Sequence, residues 1–173
     1  MDQFVDTLVV FVRTHESWGP AIVLMLAFGE SLAFISLLLP ATVILLGIGA
    51  LVGASGVAFW PLWTSAAIGA FLGDWVSYWI GWRFKERIAQ VWPLSRHPDL
   101  LRHGHAFFER WGAIGVFIGR FSGPLRASVP ITAGICGMPF IPFQIANVLS
   151  ALVWATGILA PSAFGLRWIQ EWL

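Results

Sequence analysis

The chain carries no charged residue between positions 127 and 166, and this apolar stretch constrains the fold more than any other feature. Just before it, Arg120 and Arg126 are the only charges within residues 111–140. A bilayer crossing takes about 20 apolar residues, so the pattern predicts membrane-embedded helices. A guanidinium in such surroundings must face protein, water or a bound anion, and its fork suits phosphate and carboxylate. The alternative is that both arginines lie at the interface and reach toward lipid headgroups.

The composition agrees with a membrane protein. The chain is 58% hydrophobic and 11% charged, with a mean hydropathy of +0.79, whereas a soluble domain carries about 25% charged residues. A net charge of +1 does not indicate a nucleic-acid surface, and the single cysteine, Cys136, excludes an internal disulfide. The histidines fit no known metal-ligand spacing, so we predict no metal site and no cofactor.

The first part of the chain predicts an interfacial helix followed by a broken membrane segment. Residues 1–16 show apolar positions at helical spacing, which predicts an amphipathic helix on the membrane and no signal peptide. Residues 17–58 form an apolar run in which Glu30 is the only charge. This run holds either two crossings or a hairpin that enters and returns, and Pro40 favours the re-entrant path.

Two further spans are predicted, with a basic segment between them. Residues 60–82 include Asp74, and residues 143–168 include Pro161, which predicts a kink. Residues 83–110 are rich in Lys and Arg, so the positive-inside rule predicts a cytoplasmic loop. Its end, from position 99 to 111, predicts an amphipathic helix along the cytoplasmic face.

The two halves of the chain repeat at an offset of ninety residues. Gly29-Glu30 corresponds to Gly119-Arg120, and Pro40-Ala41-Thr42 corresponds to Pro130-Ile131-Thr132. Proline-interrupted repeats are typical of transporters built from inverted repeats, although a membrane chain rich in Gly, Pro and Leu also aligns with itself by chance. The prediction is a single all-α polytopic domain over 17–173, with repeats at about 17–82 and 111–168. Glu30 and Arg120 would then be equivalent, and able to pair at its centre.

The motif GRFSGPLRASVPITAGICGM, residues 119–138, resembles the signature of the DedA family, also called the SNARE-associated or VTT domain. GDWVSYWIG, residues 73–81, resembles that family's motif in the preceding span. The resemblance implies a multi-pass bacterial inner-membrane protein with two re-entrant hairpins. It also implies a transporter of lipid-linked phosphate, most simply a flippase that returns undecaprenyl phosphate. Phospholipid scrambling and proton-coupled transport of small ions are the alternatives within the family.

By the same resemblance, Glu30, Arg120 and Arg126 match the family's functional charges, so Arg120 and Arg126 are predicted to bind the phosphate headgroup and Glu30 to handle a proton or to pair with the empty site. Many members carry an aspartate in a Pro-Gly-Asp element where this chain reads Pro40-Ala41-Thr42, so proton coupling through that aspartate is in question and Asp74 could take part instead.

The roles of the individual polar residues have alternatives. Glu30 suits proton coupling or a salt bridge to either arginine, and Asp74 also suits a polar contact between helices. Three hydroxyl side chains near the arginines could donate to a phosphate or satisfy backbone groups freed by the prolines: Ser122, Ser128 and Thr132.

An enzyme is not expected, because none of the predicted spans contains a histidine to act as acid or base. The predicted partners are a lipid phosphate, membrane lipids and, through Glu30, protons. Close glycine spacing such as Gly69 to Gly73 predicts helix contacts within one chain or between copies, so a homo-oligomer is one of the alternatives.

Overall fold

The described residues of the computed structural model, 16–32, 41–55, 57–89, 98–122, 126 and 128–172, form six α-helices after a short 3-10 turn at Glu16–Trp18. The helices, in chain order, are α1 (Gly19–Ser31), α2 (Ala41–Ser55), α3 (Phe59–Ala89), α4 (Pro98–Gly119), α5 (Ser128–Ile135) and α6 (Phe140–Trp172). The predicted all-α class is confirmed. The predicted amphipathic helix at 1–16 lies almost wholly outside the described residues.

The same order of elements occurs twice along the chain. In each half, a helix ends at a charged residue, a second helix follows a break, and a long helix closes the half. Glu30 lies in the last turn of α1, and Arg120 directly follows the end of α4. α1 and α2, with 13 and 15 residues, are shorter than the roughly 20 residues of a bilayer crossing. The re-entrant path and the two-fold axis themselves stay predictions.

Within the basic segment at 83–110, where the sequence predicted a loop, residues 83–89 and 98–110 are helical. α3 continues through Ala89, and Phe84 interrupts it with φ −114° and ψ 16°, where the sequence turns from apolar to basic. α4 contains the helix predicted at 99–111, and Gly112, with φ 47° and ψ −128°, separates this polar part from the apolar part that leads to Arg120. Only a residue without a side chain adopts such a backbone angle readily.

One described helical segment, Phe140–Ala163 of α6, is long and apolar enough to cross a membrane. It corresponds to the predicted span at 143–168, and Pro161 lies inside the helix. The predicted span at 60–82 is helical throughout, but its tryptophans, glycines and serines make it less apolar. Gly19–Ser31 and Thr42–Gly53 are apolar and shorter.

The helices pack reciprocally between the two halves. α1 packs along α3 of its own half, while α2 packs on α6 and α5 packs on α3 of the other half. Glycines allow these approaches: Gly69 and Gly73 meet the α1 backbone, and Gly53 meets the α6 backbone. The small-residue spacing therefore serves contacts within one chain, which removes this spacing as an argument for an oligomer.

The α3–α5 contact is the closest of these and gives a stability prediction. A methyl group on Gly134 would run into the backbone oxygen of Tyr78, so Gly134→Ala should force the helices apart and cost about 1–3 kcal/mol. Gly157→Ala on α6 is the matched control, since its methyl would meet no atom within 4 Å and helix propensity favours alanine by about 1 kcal/mol. Thermal unfolding of the detergent-purified variants measures both. Equal shifts would contradict the close α3–α5 contact.

Candidate functional site: two buried ion pairs

Arg120 lies in a network of acceptors that uses both terminal nitrogens of its guanidinium. Nη2 lies 2.6 Å from Asp74 Oδ2 and donates to the Ala70 oxygen at 3.1 Å. Nη1 donates to Ser150 Oγ at 2.9 Å and to the backbone oxygen of Asn147 at 3.1 Å. Arg120 is 6% exposed. A buried charge is stable only when it is paired and hydrogen-bonded in this way.

Two partners of Arg120 come from one face of α6. Asn147 and Ser150 are three residues apart and fully buried, so both point from the helix toward α3 and Arg120. Asn147 also donates from Nδ2 to the Phe71 oxygen at 3.0 Å, which joins α6 to α3. Neither residue was predicted from the sequence. Their signal was present, because polar residues at helical spacing inside an apolar span face the protein interior.

Arg126 forms the second ion pair. Its Nη2 pairs with Glu30 Oε1 and lies 3.4 Å from the backbone oxygen of Glu30. Thr42, the second residue of α2, donates its hydroxyl to the same carboxylate oxygen. The guanidinium also stacks over the ring of Trp154, with its carbon 5.6 Å from the ring centroid. Glu30 Oε2 has no hydrogen-bond partner among the described residues.

The two arginines differ in how many of their guanidinium nitrogens have an acceptor among the described residues. Arg126 engages protein acceptors through Nη2, while its Nη1 and Nε find none among the described residues. The Arg126 side chain is 18% exposed. Arg120, by contrast, has acceptors on both terminal nitrogens. Within the described part of the chain, an anion that enters the site therefore finds donors without an acceptor at Arg126 and occupied donors at Arg120.

The direct pair predicted between Glu30 and Arg120 is not formed. Arg120 lies against α3 and α6 and takes Asp74, whereas Glu30 takes Arg126, which was the alternative for that carboxylate. The two pairs are nevertheless neighbours. Ser150, a partner of Arg120, and Trp154, which stacks on Arg126, are one turn apart on α6. The two ion pairs therefore lie one helix turn apart along α6, and their two positive and two negative charges sum to zero.

The contacts described for Ser122 and Thr132 do not reach these pairs. Ser122 is exposed and donates to the Ile118 oxygen at 3.3 Å in the preceding turn, so it satisfies backbone. Ser128 is exposed, and the Thr132 backbone oxygen accepts from the Cys136 amide at 2.9 Å. Their role in phosphate binding stays a prediction. No group of three or more His, Cys, Asp or Glu side chains within the described ranges could hold a metal ion.

Comparison with known proteins adds the family context. The family model described as the VTT domain matches residues 39–164, which is most of the chain. The chain is 37% identical over 161 residues to the inner membrane protein YabI of Escherichia coli K12, covering 90% of the chain and 63% of that protein.

Two further bacterial relatives are also named as membrane proteins. An uncharacterized membrane protein of Buchnera aphidicola from Acyrthosiphon pisum, BU139, is 30% identical over 147 residues, covering 85% of the chain and 57% of that relative. Another, slr0232 of Synechocystis, is 38% identical over 119 residues, covering 66% of the chain and 53% of the relative. The chain thus spans about three fifths of the length of these curated relatives. No solved structure matches it.

Proposed function

The chain belongs to the DedA family of VTT-domain membrane proteins, and from this membership we propose that it carries lipid-linked phosphate across the bacterial cytoplasmic membrane. The observation that carries the proposal is the half-buried guanidinium of Arg126, which contacts α1 and α6 and whose Nη1 and Nε have no acceptor among the described residues. A polyisoprenyl phosphate such as undecaprenyl phosphate fits this site best. Its headgroup is the anion that an arginine fork binds well, and its chain remains in the hydrocarbon.

The proposed step is an exchange of anions on Arg126. The phosphate takes the free Nη1 and Nε donors first and then displaces Glu30 from Nη2. Arg120 keeps its own partners and supplies positive potential one helix turn away. Because the resting site is neutral, the incoming phosphate replaces one negative group by another at Arg126 and leaves Glu30 without a counter-ion.

Glu30 then becomes the coupling residue of the proposal. It is 3% exposed, and a buried carboxylate without a partner is costly. Uptake of a proton on Glu30 removes that cost, and release of the phosphate returns Glu30 to Arg126 and frees the proton. Thr42 supports this exchange, since its hydroxyl can donate to the ionised carboxylate and accept from the protonated one.

Transport by the purified wild-type chain in liposomes tests the proposal. A fluorescent polyisoprenyl phosphate should cross proteoliposomes faster than empty liposomes, and unlabelled polyisoprenyl phosphate should compete with it while the corresponding alcohol does not. Equal transport of a choline phospholipid would favour a scramblase and contradict phosphate selectivity. Transport no faster than in empty liposomes would contradict the proposed function.

A further inference from the structure

A second binding feature lies away from the ion pairs, on the outer face of α3. A groove of about 360 Å³ is lined on one side by four aromatic side chains and on the other by the turn between α5 and α6. We call it the aromatic groove, and its lining comprises Trp75, Tyr78, Trp79 and Trp82 with Gly137, Met138, Pro139 and Phe140. The four aromatic residues recur at intervals of three and four, so they share one helix face.

The groove is preformed by contacts beneath it. The Tyr78 hydroxyl donates to the Met138 oxygen at 2.6 Å, and its ring stacks on Phe143 with centroids 4.1 Å apart. The turn opposite is fixed by a Schellman cap of α5. The Gly137 amide donates to the Gly134 oxygen at 3.0 Å, the Met138 amide donates to the Ala133 oxygen at 3.0 Å, and Gly137 has φ 70°.

The rim of the groove offers donors and few acceptors. The indole N–H groups of Trp75, Trp79 and Trp82 donate to no described residue, and the groove lining contains no carboxylate. The Met138 oxygen is already taken by Tyr78. Arg83 follows Trp82 directly, is exposed, and lies over the Phe84 ring at 5.6 Å. Indole groups in the groove lining, and an exposed guanidinium one residue beyond Trp82, complement a ligand with an apolar chain and acceptor oxygens.

We propose that the aromatic groove holds one anionic phospholipid, with its acyl chain against the tryptophans and its headgroup phosphate at Arg83. Aromatic rings at headgroup level and a following basic residue are the surroundings in which anionic lipids bind. None of the four paired charges, Glu30, Asp74, Arg120 and Arg126, lines the groove. The proposed lipid is therefore distinct from the substrate at Arg126, and its binding does not depend on the proposed transport.

Lipid retention by the purified full chain tests this site. The chain is reconstituted into nanodiscs that contain phosphatidylglycerol and phosphatidylcholine, extracted into detergent and washed, and its bound lipids are counted by native mass spectrometry. The wild type should retain one phosphatidylglycerol in preference to phosphatidylcholine. Trp79→Ala with Trp82→Ala should reduce that retention by about tenfold, because the apolar wall is lost. Arg83→Gln should weaken the preference for phosphatidylglycerol by about fivefold, since one basic residue near a lipid surface contributes that much.

Trp60→Ala is the matched control, because Trp60 is 69% exposed at the other end of the same helix and outside the groove. It should retain lipid like the wild type. Equal retention by the groove double variant and Trp60→Ala would overturn the site, and so would an unchanged phosphatidylglycerol preference in Arg83→Gln. Thermal unfolding of each variant distinguishes lost lipid from lost fold, and a folded Trp79→Phe, Trp82→Phe variant with reduced retention supports the site if the alanine variant does not fold.

Discussion

Arg120→Ala should leave little folded protein in the membrane, because it leaves the buried carboxylate of Asp74 without its charged partner. Asp74 is 6% exposed and would lose its charged partner, while Asn147 and Ser150 would lose a donor. Removing one member of a buried ion pair costs about 3–5 kcal/mol, a large part of a total stability of about 5–15 kcal/mol. The measurement is the monodisperse fraction after detergent extraction, together with the unfolding temperature.

A double-mutant cycle separates this effect from general damage. Arg120→Met combined with Asp74→Leu removes both charges, so the double variant should recover much of the stability that either single variant loses. Arg110→Ala, on α4, is the exposed control and should change stability by less than about 0.5 kcal/mol. Additive losses in the cycle would contradict the ion pair between Arg120 and Asp74.

Arg126→Gln should abolish transport while the chain stays folded. Glutamine keeps one amide donor for Glu30 but loses the charge that holds the phosphate. A desolvated charge contact contributes about 3 kcal/mol, so the transport rate at low substrate should fall by about a hundredfold. The transport rate of Arg126→Lys should lie between those of the wild type and Arg126→Gln, since an ammonium keeps the charge but lacks the bidentate fork. Initial rates in proteoliposomes, at matched protein incorporation, give these values.

Arg110→Gln is the charge-matched control for Arg126→Gln and should transport like the wild type. If glutamine at position 126 destabilises the chain, Arg126→Gln with Glu30→Gln removes the stranded carboxylate and should fold without transporting. Wild-type rates in a folded Arg126→Gln variant would return Arg126 to a structural role at Glu30.

The helical class and the importance of the charges followed from the sequence, but the pairing did not. A charge within apolar sequence must find a partner, and this alone selects Glu30, Asp74, Arg120 and Arg126. The actual partners are distant along the chain: Arg126 meets Glu30, which belongs to the other half. Equivalence in a repeat fixes which residues correspond and leaves open which ones touch, so Glu30 and Arg120 were paired wrongly.

Other parts of the site depend on which helices pack against each other, and the sequence alone does not show this. The helical spacing of Asn147 and Ser150 marked an inward face of an apolar span, but their partners follow only from the packing of α3 against α6. The glycine spacing at Gly69 and Gly73 predicted a close helix contact, whereas the partner helix, α1, is identified only by the packed structure. The aromatic groove likewise joins α3 to a turn more than fifty positions later in the chain.

Ligand stabilisation tests the central claim, that Arg126 gives up Glu30 for a lipid phosphate. The unfolding temperature of the purified chain is measured with increasing amounts of a soluble short-chain isoprenyl phosphate. Near a hundred times the dissociation constant, a ligand bound only by the folded state adds about 2.7 kcal/mol. Wild type and Arg83→Gln should both be stabilised, whereas Arg126→Gln should not respond and the matching isoprenyl alcohol should have no effect. Equal stabilisation of wild type and Arg126→Gln by the phosphate would contradict the account.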